Sequence, residues 1–137
     1  MDKTKQPGIS FDGIILVEEK FWRDYQIPED SSIDLEFQAN NNIEKSSGTV
    51  EVYANFKLVK DEKSFLTLDL KFIGFFSVIG DEENMDIKEF IENNSLALMF
   101  PYIREHITNI TSKSGIKPIV LPPINLRAVT NKEHSNL

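Results

Sequence analysis

The sequence contains no cysteine among its 137 residues. That excludes disulfides and thiolate metal sites, and it suits a reducing compartment. Histidine is nearly as scarce, at His106 and His134 alone. Two histidines so far apart, without cysteine, make no zinc set. No apolar stretch approaches the roughly 20 residues a helix needs to span a bilayer, and the leading MDKTKQPG carries no apolar signal core. Basic residues are in deficit: 15 Lys and Arg against 22 Asp and Glu leave a net charge of −7. An acidic surface repels phosphate backbones, which disfavours nucleic acid and favours cationic partners. Neither a glycine-rich phosphate loop nor a nucleophile elbow is present. Asp81, Glu82, Glu83 and Asp86 lack the glycine and spacing of a calcium loop. Glu105 projects about 100° away from His106 around a helix, so the two form no ready dyad. These absences read as a cytoplasmic protein that is not an enzyme, with no metal and no cofactor.

What is present is alternation. Residues 11–17 read as a strand, followed by the cluster Phe21-Trp22-Arg23-Asp24-Tyr25 and a break at Pro28. Ile33, Leu35, Phe37 and Ala39 alternate with polar neighbours, as do Val50, Val52, Ala54, Phe56 and Leu58. Asn40 to Asn42 and Ser46-Ser47-Gly48 bracket a predicted loop, and Asp61-Glu62-Lys63 a tight reversal. Leu66, Leu68, Leu70 and Phe72 form a fourth strand, which loses its pattern at Gly74. Four strands in succession with short reversals predict an antiparallel sheet with one buried face. Helices follow. Asp86 with Glu89 resembles a capping box for a short helix to about residue 93. A break near Asn94-Ser95 separates it from a main helix over residues 101–114, with Pro101 at its first position and Gly115 as its left-handed stop. Residues 119–121 are extended, and Pro122-Pro123 bars a helix there. Strands first and helices after give an α+β fold in a single domain over 1–137, with 1–7 and 130–137 as loose ends.

The helix motif LMFPYIREHITNITSKSG and the following LPPINLRAV resemble the export chaperone SecB and its SecB-like relatives. The residues that carry the likeness are Phe100, Pro101, Tyr102, Arg104, Glu105, Ile107, Thr108 and Gly115, then Pro122, Pro123 and Asn125. GFFSVIG at 74–80 resembles the family's end of the last strand. The likeness covers roughly residues 30–129. It implies a four-stranded antiparallel sheet, a long helix packed on one face, and a homotetramer built as a dimer of dimers. Only residues 124–137 remain for the family's second helix and tail, so that helix is expected to be short or missing.

The resemblance further implies an ATP-independent chaperone that holds unfolded polypeptides in an exposed apolar groove and delivers them to the motor SecA. A dedicated relative guarding an antitoxin is the alternative, and a structural or small-ligand module on the same fold is a third. Expected groove residues are Trp22, Tyr25, Tyr53, Phe75, Phe76 and Phe90. Phe75 and Phe76 point opposite ways in an extended chain, so one of them should leave the core. Ile103, Ile107 and Ile110, with the short Thr108 and Thr111, are the expected seam between subunits, although their spacing equally fits an ordinary core helix. Asp69, carried over from the resemblance, and Glu51 on the neighbouring strand are the expected motor contacts.

Overall fold

The computed structural model describes residues 8–80, 86–117, 119 and 121. Among the described residues the chain forms β1 (Ile9–Arg23), β2 (Ser32–Ile43), β3 (Ser47–Lys60), β4 (Lys63–Val78) and one helix, α1 (Ile87–Lys113). All strand pairs are antiparallel, in the order β1-β4-β3-β2. The fold class is therefore the expected one, a four-stranded antiparallel sheet with a long helix on one face. The expectations for residues 122–137, Pro122, Pro123 and Asn125 among them, fall outside the described residues.

Period-two alternation builds the centre of the sheet. Val50, Val52, Ala54, Phe56 and Leu58 of β3 and Leu66, Leu68, Leu70, Phe72 and Phe76 of β4 are all buried on one face. Each of these side chains other than that of Ala54 contributes about 1.5–3 kcal/mol by leaving water. The hairpin between β3 and β4 turns at Asp61 and Glu62, both with positive φ, 53° and 66°. That conformation matches the strand twist of a two-residue reversal.

Helix α1 lies across this face. Its inward row recurs every fourth residue: Ile87, Ile91, Ser95, Met99, Ile103, Ile107 and Thr111, with Leu96 and Phe100 beside it. Asp86 caps the first turn by accepting from the Lys88 amide at 2.9 Å. Gly115, at φ 80°, turns the chain away after Ser114. Two strand glycines let the helix sit close. A Cβ on Gly74 would lie 2.8 Å from Met99 Sδ, and one on Gly48 would lie 2.6 Å from Ile91 Cδ1. Gly74 is thus a seat for the helix inside β4, and the strand runs on past it.

Several boundaries differ from the sequence reading. The predicted break at Asn94-Ser95 is absent, and Pro101 lies inside one continuous 27-residue helix. Pro101 and Ala97, whose carbonyl loses its partner, are both exposed, so water can take that bond. Asn40, Asn41 and Asn42 belong to β2, because pairing with Glu51, Val50 and Thr49 outweighs their low strand propensity. The loop is residues 44–46, closed by the Glu44 amide donating to the Ser47 carbonyl at 2.7 Å. β1 continues past residue 17 to Arg23, through register shifts between Phe11 and Gly13 and between Leu16 and Glu18. Each shift is a bulge that interrupts the alternation a sequence reading depends on.

Ile103 and Ile107, expected in a seam between subunits, are not free to form one. Ile103 and Ile107 are fully buried against this chain's own sheet, and Ile110 packs at the core's margin. Thr108 and Thr111 grip the returning chain: Thr108 Oγ1 donates to the Ile119 carbonyl at 2.7 Å, and the Ile119 amide donates to Thr111 Oγ1 at 3.2 Å. The Thr111 hydroxyl itself returns to the Ile107 carbonyl at 2.9 Å. The threonine flank thus serves the chain's own return. Ile107→Asp, which in a seam would only separate subunits, should instead cost about 4 kcal/mol or more of folding stability. A urea titration followed by circular dichroism reads this directly, and a midpoint equal to wild type would contradict the placement.

Candidate functional site

The sheet face away from α1 is built from side chains that alternate with the core. Lys71 pairs across with Tyr53 and Glu18, Asp69 with Asn55 and Lys20, and Ile73 with Glu51 and Ile15. Lys71 Nζ lies 5.3 Å from the Tyr53 ring centroid and 3.8 Å from Glu51 Oε2. The hydrogen bond to Tyr53 is the main influence lifting the Lys71 ammonium above the ordinary lysine value, with the Glu51 carboxylate adding to it. Asp69 Oδ1 accepts a hydrogen bond from Asn55 Nδ2. A shallow depression of about 360 Å³ opens here, edged by Glu18, Glu36 and Asp69 with Lys20 and Lys71. Of the two expected motor contacts, Asp69 is exposed on this face, and Glu51 is half-buried with its charge shared by Lys71.

The apolar candidates separate into two groups. Tyr53, Phe75 and Trp22 stand on the outer face, and Tyr25 lies in the β1–β2 connection, 92% exposed. Phe76 is only 2% exposed, stacked on Phe11 at 5.0 Å and edge-on to Phe90 at 6.4 Å. Phe76 therefore belongs to the core, and half-buried Phe90 packs against it. The alternation argument held: of the adjacent pair, Phe75 is the one turned outward.

The sequence reading missed the most exposed apolar run, Ile15, Leu16 and Val17 on β1, with Ile15 51% uncovered. It also missed Phe21 on the same strand and Leu98 on α1, where Tyr102 is exposed beside it. A signal existed: residues 14–17 are four consecutive aliphatics, a pattern for a strand covered on both faces. Here that run lies on an edge strand. His106 likewise meets an acid, but Glu19 of β1 rather than its neighbour Glu105; its Nε2 hydrogen-bonds Glu19 Oε1 while Phe72 packs edge-on at 6.1 Å.

At the hairpin end of the sheet, Phe21, Trp22 and Tyr25 lie within five residues of one another and are all exposed. Trp22 is the only tryptophan and is half exposed, so it reports on this end without labelling. Acrylamide should quench its fluorescence readily in the free protein and less once a partner covers the aromatic end. Weak quenching of the free protein would contradict the exposure of Trp22.

Comparison with known proteins follows the same lines. The family described as preprotein translocase subunit SecB matches residues 9–136. An uncharacterized protein of Methanocaldococcus jannaschii is 39% identical over 107 residues, covering 76% of this chain and 66% of that one. The protein-export protein SecB of Cellvibrio japonicus is 31% identical over 96 residues, covering 70% of this chain and 56% of its own length. That of Anaplasma phagocytophilum is 29% identical over 86 residues, covering 61% and 54%. The chain thus spans between half and two thirds of these relatives. Among solved structures, the SecB-like chaperone of Mycobacterium tuberculosis, in complex with a ChAD peptide from the HigA1 antitoxin, superposes with a TM-score of 0.72. That likeness covers 85% of this chain and 91% of the other at 17% identity, and it is a likeness of fold. Matched over nearly its whole length, with the four-stranded antiparallel sheet and the helix of its motif in place, the chain belongs to the SecB family.

Proposed function

We propose that this chain is a chaperone of the SecB kind, which holds unfolded polypeptides for export by apolar contact and uses no nucleotide. The observation that carries the reading is the uncovered aromatic end of the sheet, where Phe21 on the helix side, Trp22 on the outer face and Tyr25 beyond the strand all meet solvent. Such side chains remain accessible to a client whose own apolar groups have not yet been buried. Each client side chain drawn out of water contributes about 1.5–3 kcal/mol. Several copies of the surface on one assembly add avidity without sequence preference. Tyr53 and Phe75 are further exposed aromatics on the outer face, set apart from Trp22 by the charged pairs of Asp69 and Lys71, and the net charge of −7 attracts cationic segments of a client. On the same face Asp69 and Glu51 are the residues offered to SecA. The setting for this work is the cytoplasm.

Assembly is part of the proposal. The aliphatic run on β1 is an apolar edge that a second copy would cover, with Leu98 and Tyr102 on the outer face of α1 as a further contact. These residues replace Ile103 and Ile107 as the interface of a dimer of dimers. Sedimentation should give a tetramer, and the double variant Ile15→Asp/Val17→Asp should sediment as a smaller species with its fold intact. A wild-type monomer would end this part of the reading.

The chaperone reading is tested by diluting a chemically denatured protein into buffer with and without the purified chain. Suppressed aggregation, unchanged by ATP, is the expected result; unaltered aggregation argues for a structural or small-ligand module. Pull-down from the native cell then distinguishes clients. Many unfolded proteins together with SecA support export, whereas one small partner alone supports a dedicated chaperone of the antitoxin-binding sort.

A further inference from the structure

The aromatic end contains one cation whose work the proposed function does not use. Arg23 ends β1 and faces the helix side of the sheet, opposite Leu66. Among the described residues, all its hydrogen bonds go to main-chain carbonyls. Nε donates to the Asp24 carbonyl at 2.8 Å, Nη2 to the Tyr25 carbonyl at 2.9 Å, and Nη1 to the Ser114 carbonyl. Ser114 is the C-cap of α1, where carbonyls lack intrahelical partners and the helix dipole favours a cation. One guanidinium therefore joins the start of the β1–β2 connection to the far end of the helix.

That connection has an unusual task. Because β1 and β2 lie at opposite edges, it must cross the ends of β4 and β3, about 14 Å of sheet. Its far end is secured by Lys60 Nζ on Asp30 at 2.9 Å and by the Ser31 amide on the Pro28 carbonyl. Its middle is held by Ile27 against the core. At its start, the Asp24 amide donates to the Phe65 carbonyl at 2.7 Å, completing the sheet ladder. At Tyr25 the side chain is almost wholly in solvent, so packing does little to fix it, and its carbonyl is held by Arg23.

We propose that Arg23 is a positioning residue of the client surface, tying the crossing segment to the end of α1 and so fixing the backbone that presents Tyr25. This rests on the reading of the aromatic end as the place where clients bind. With its backbone already held, Tyr25 has only its two side-chain torsions left to order on binding, so the fixed backbone strengthens each encounter. Lysine cannot do the same: it carries the charge but not the planar fork that reaches several carbonyls at once.

The test uses the full chain and two readouts. In the free protein, amide hydrogen exchange at residues 24–26 should accelerate by about tenfold or more in Arg23→Gln and equally in Arg23→Lys, while exchange in β3 and β4 stays as in wild type. Binding of reduced, carboxymethylated α-lactalbumin, a permanently unfolded probe, should weaken by about the same factor in Arg23→Gln as in Tyr25→Ala, with no further loss in the double variant. Unchanged exchange in Arg23→Gln overturns the proposal, as does full rescue by lysine, which would reduce the role to charge alone. Additive losses in the double variant overturn the link to Tyr25. If wild type ignores the probe while Arg23→Gln still loosens residues 24–26, the client reading fails and the clamp stands.

Discussion

The seating of α1 on β3 and β4 is the contact from which the rest of the molecule takes its shape. A row of side chains spaced by four meets a flat apolar face, and at two points the strand offers only a glycine. Met99 and Ile91 fill those places. The apparent weakness at Gly74, where strand periodicity fails, and the apparent weakness at Pro101, where a helix should break, are thereby reconciled. Gly74 admits the helix, and Pro101 sits on the side where a lost hydrogen bond meets water. Each irregularity is tolerable because tertiary burial on the opposite side of the same element outweighs it.

Strand order then decides what is left uncovered. With β4 and β3 in the middle, the first two strands become the two edges, and among the described residues one helix covers the sheet. β1 is left with an aliphatic run facing solvent, and the link from β1 to β2 must pass over the hairpin end. The same passage brings Arg23 within reach of the last turn of α1 and leaves Tyr25 outside. Uncovered apolar surface is a hazard for a monomer and an asset for a protein whose proposed work is to cover others.

The outer face is governed by a different balance. Its side chains are charged or amphipathic and pair across the strands, Lys71 with Glu51 and Tyr53, Asp69 with Asn55. Such pairs lie in contact with water and add little stability. Their effect is to shape a mixed polar surface beside the aromatic end, where an acidic excess remains to attract cations. Apolar capture and electrostatic attraction are thus adjacent but carried by different residues.

Much of this is legible in the sequence. Alternation in β2, β3 and β4, the Asp61-Glu62 reversal, the Asp86 cap and the Gly115 stop are local, and local rules determine them. The Phe-Pro-Tyr helix motif carried the family. The sequence could also say that one of Phe75 and Phe76 must turn outward, but not which. The first bulge in β1 reverses the facing of the side chains after it and the second restores it, so that Ile14 and Leu16 between the two share the helix side with Glu19 and Arg23 beyond them, while Trp22 points away. A bulge exists only in relation to the strand beside it, and a strand is an edge only in relation to the whole sheet. Hence Ile107 reads as a seam and proves to be core, whereas Ile15 to Val17, read only as part of a strand, prove to be exposed. Those assignments depend on which chain segments become neighbours, and the folded packing alone decides that.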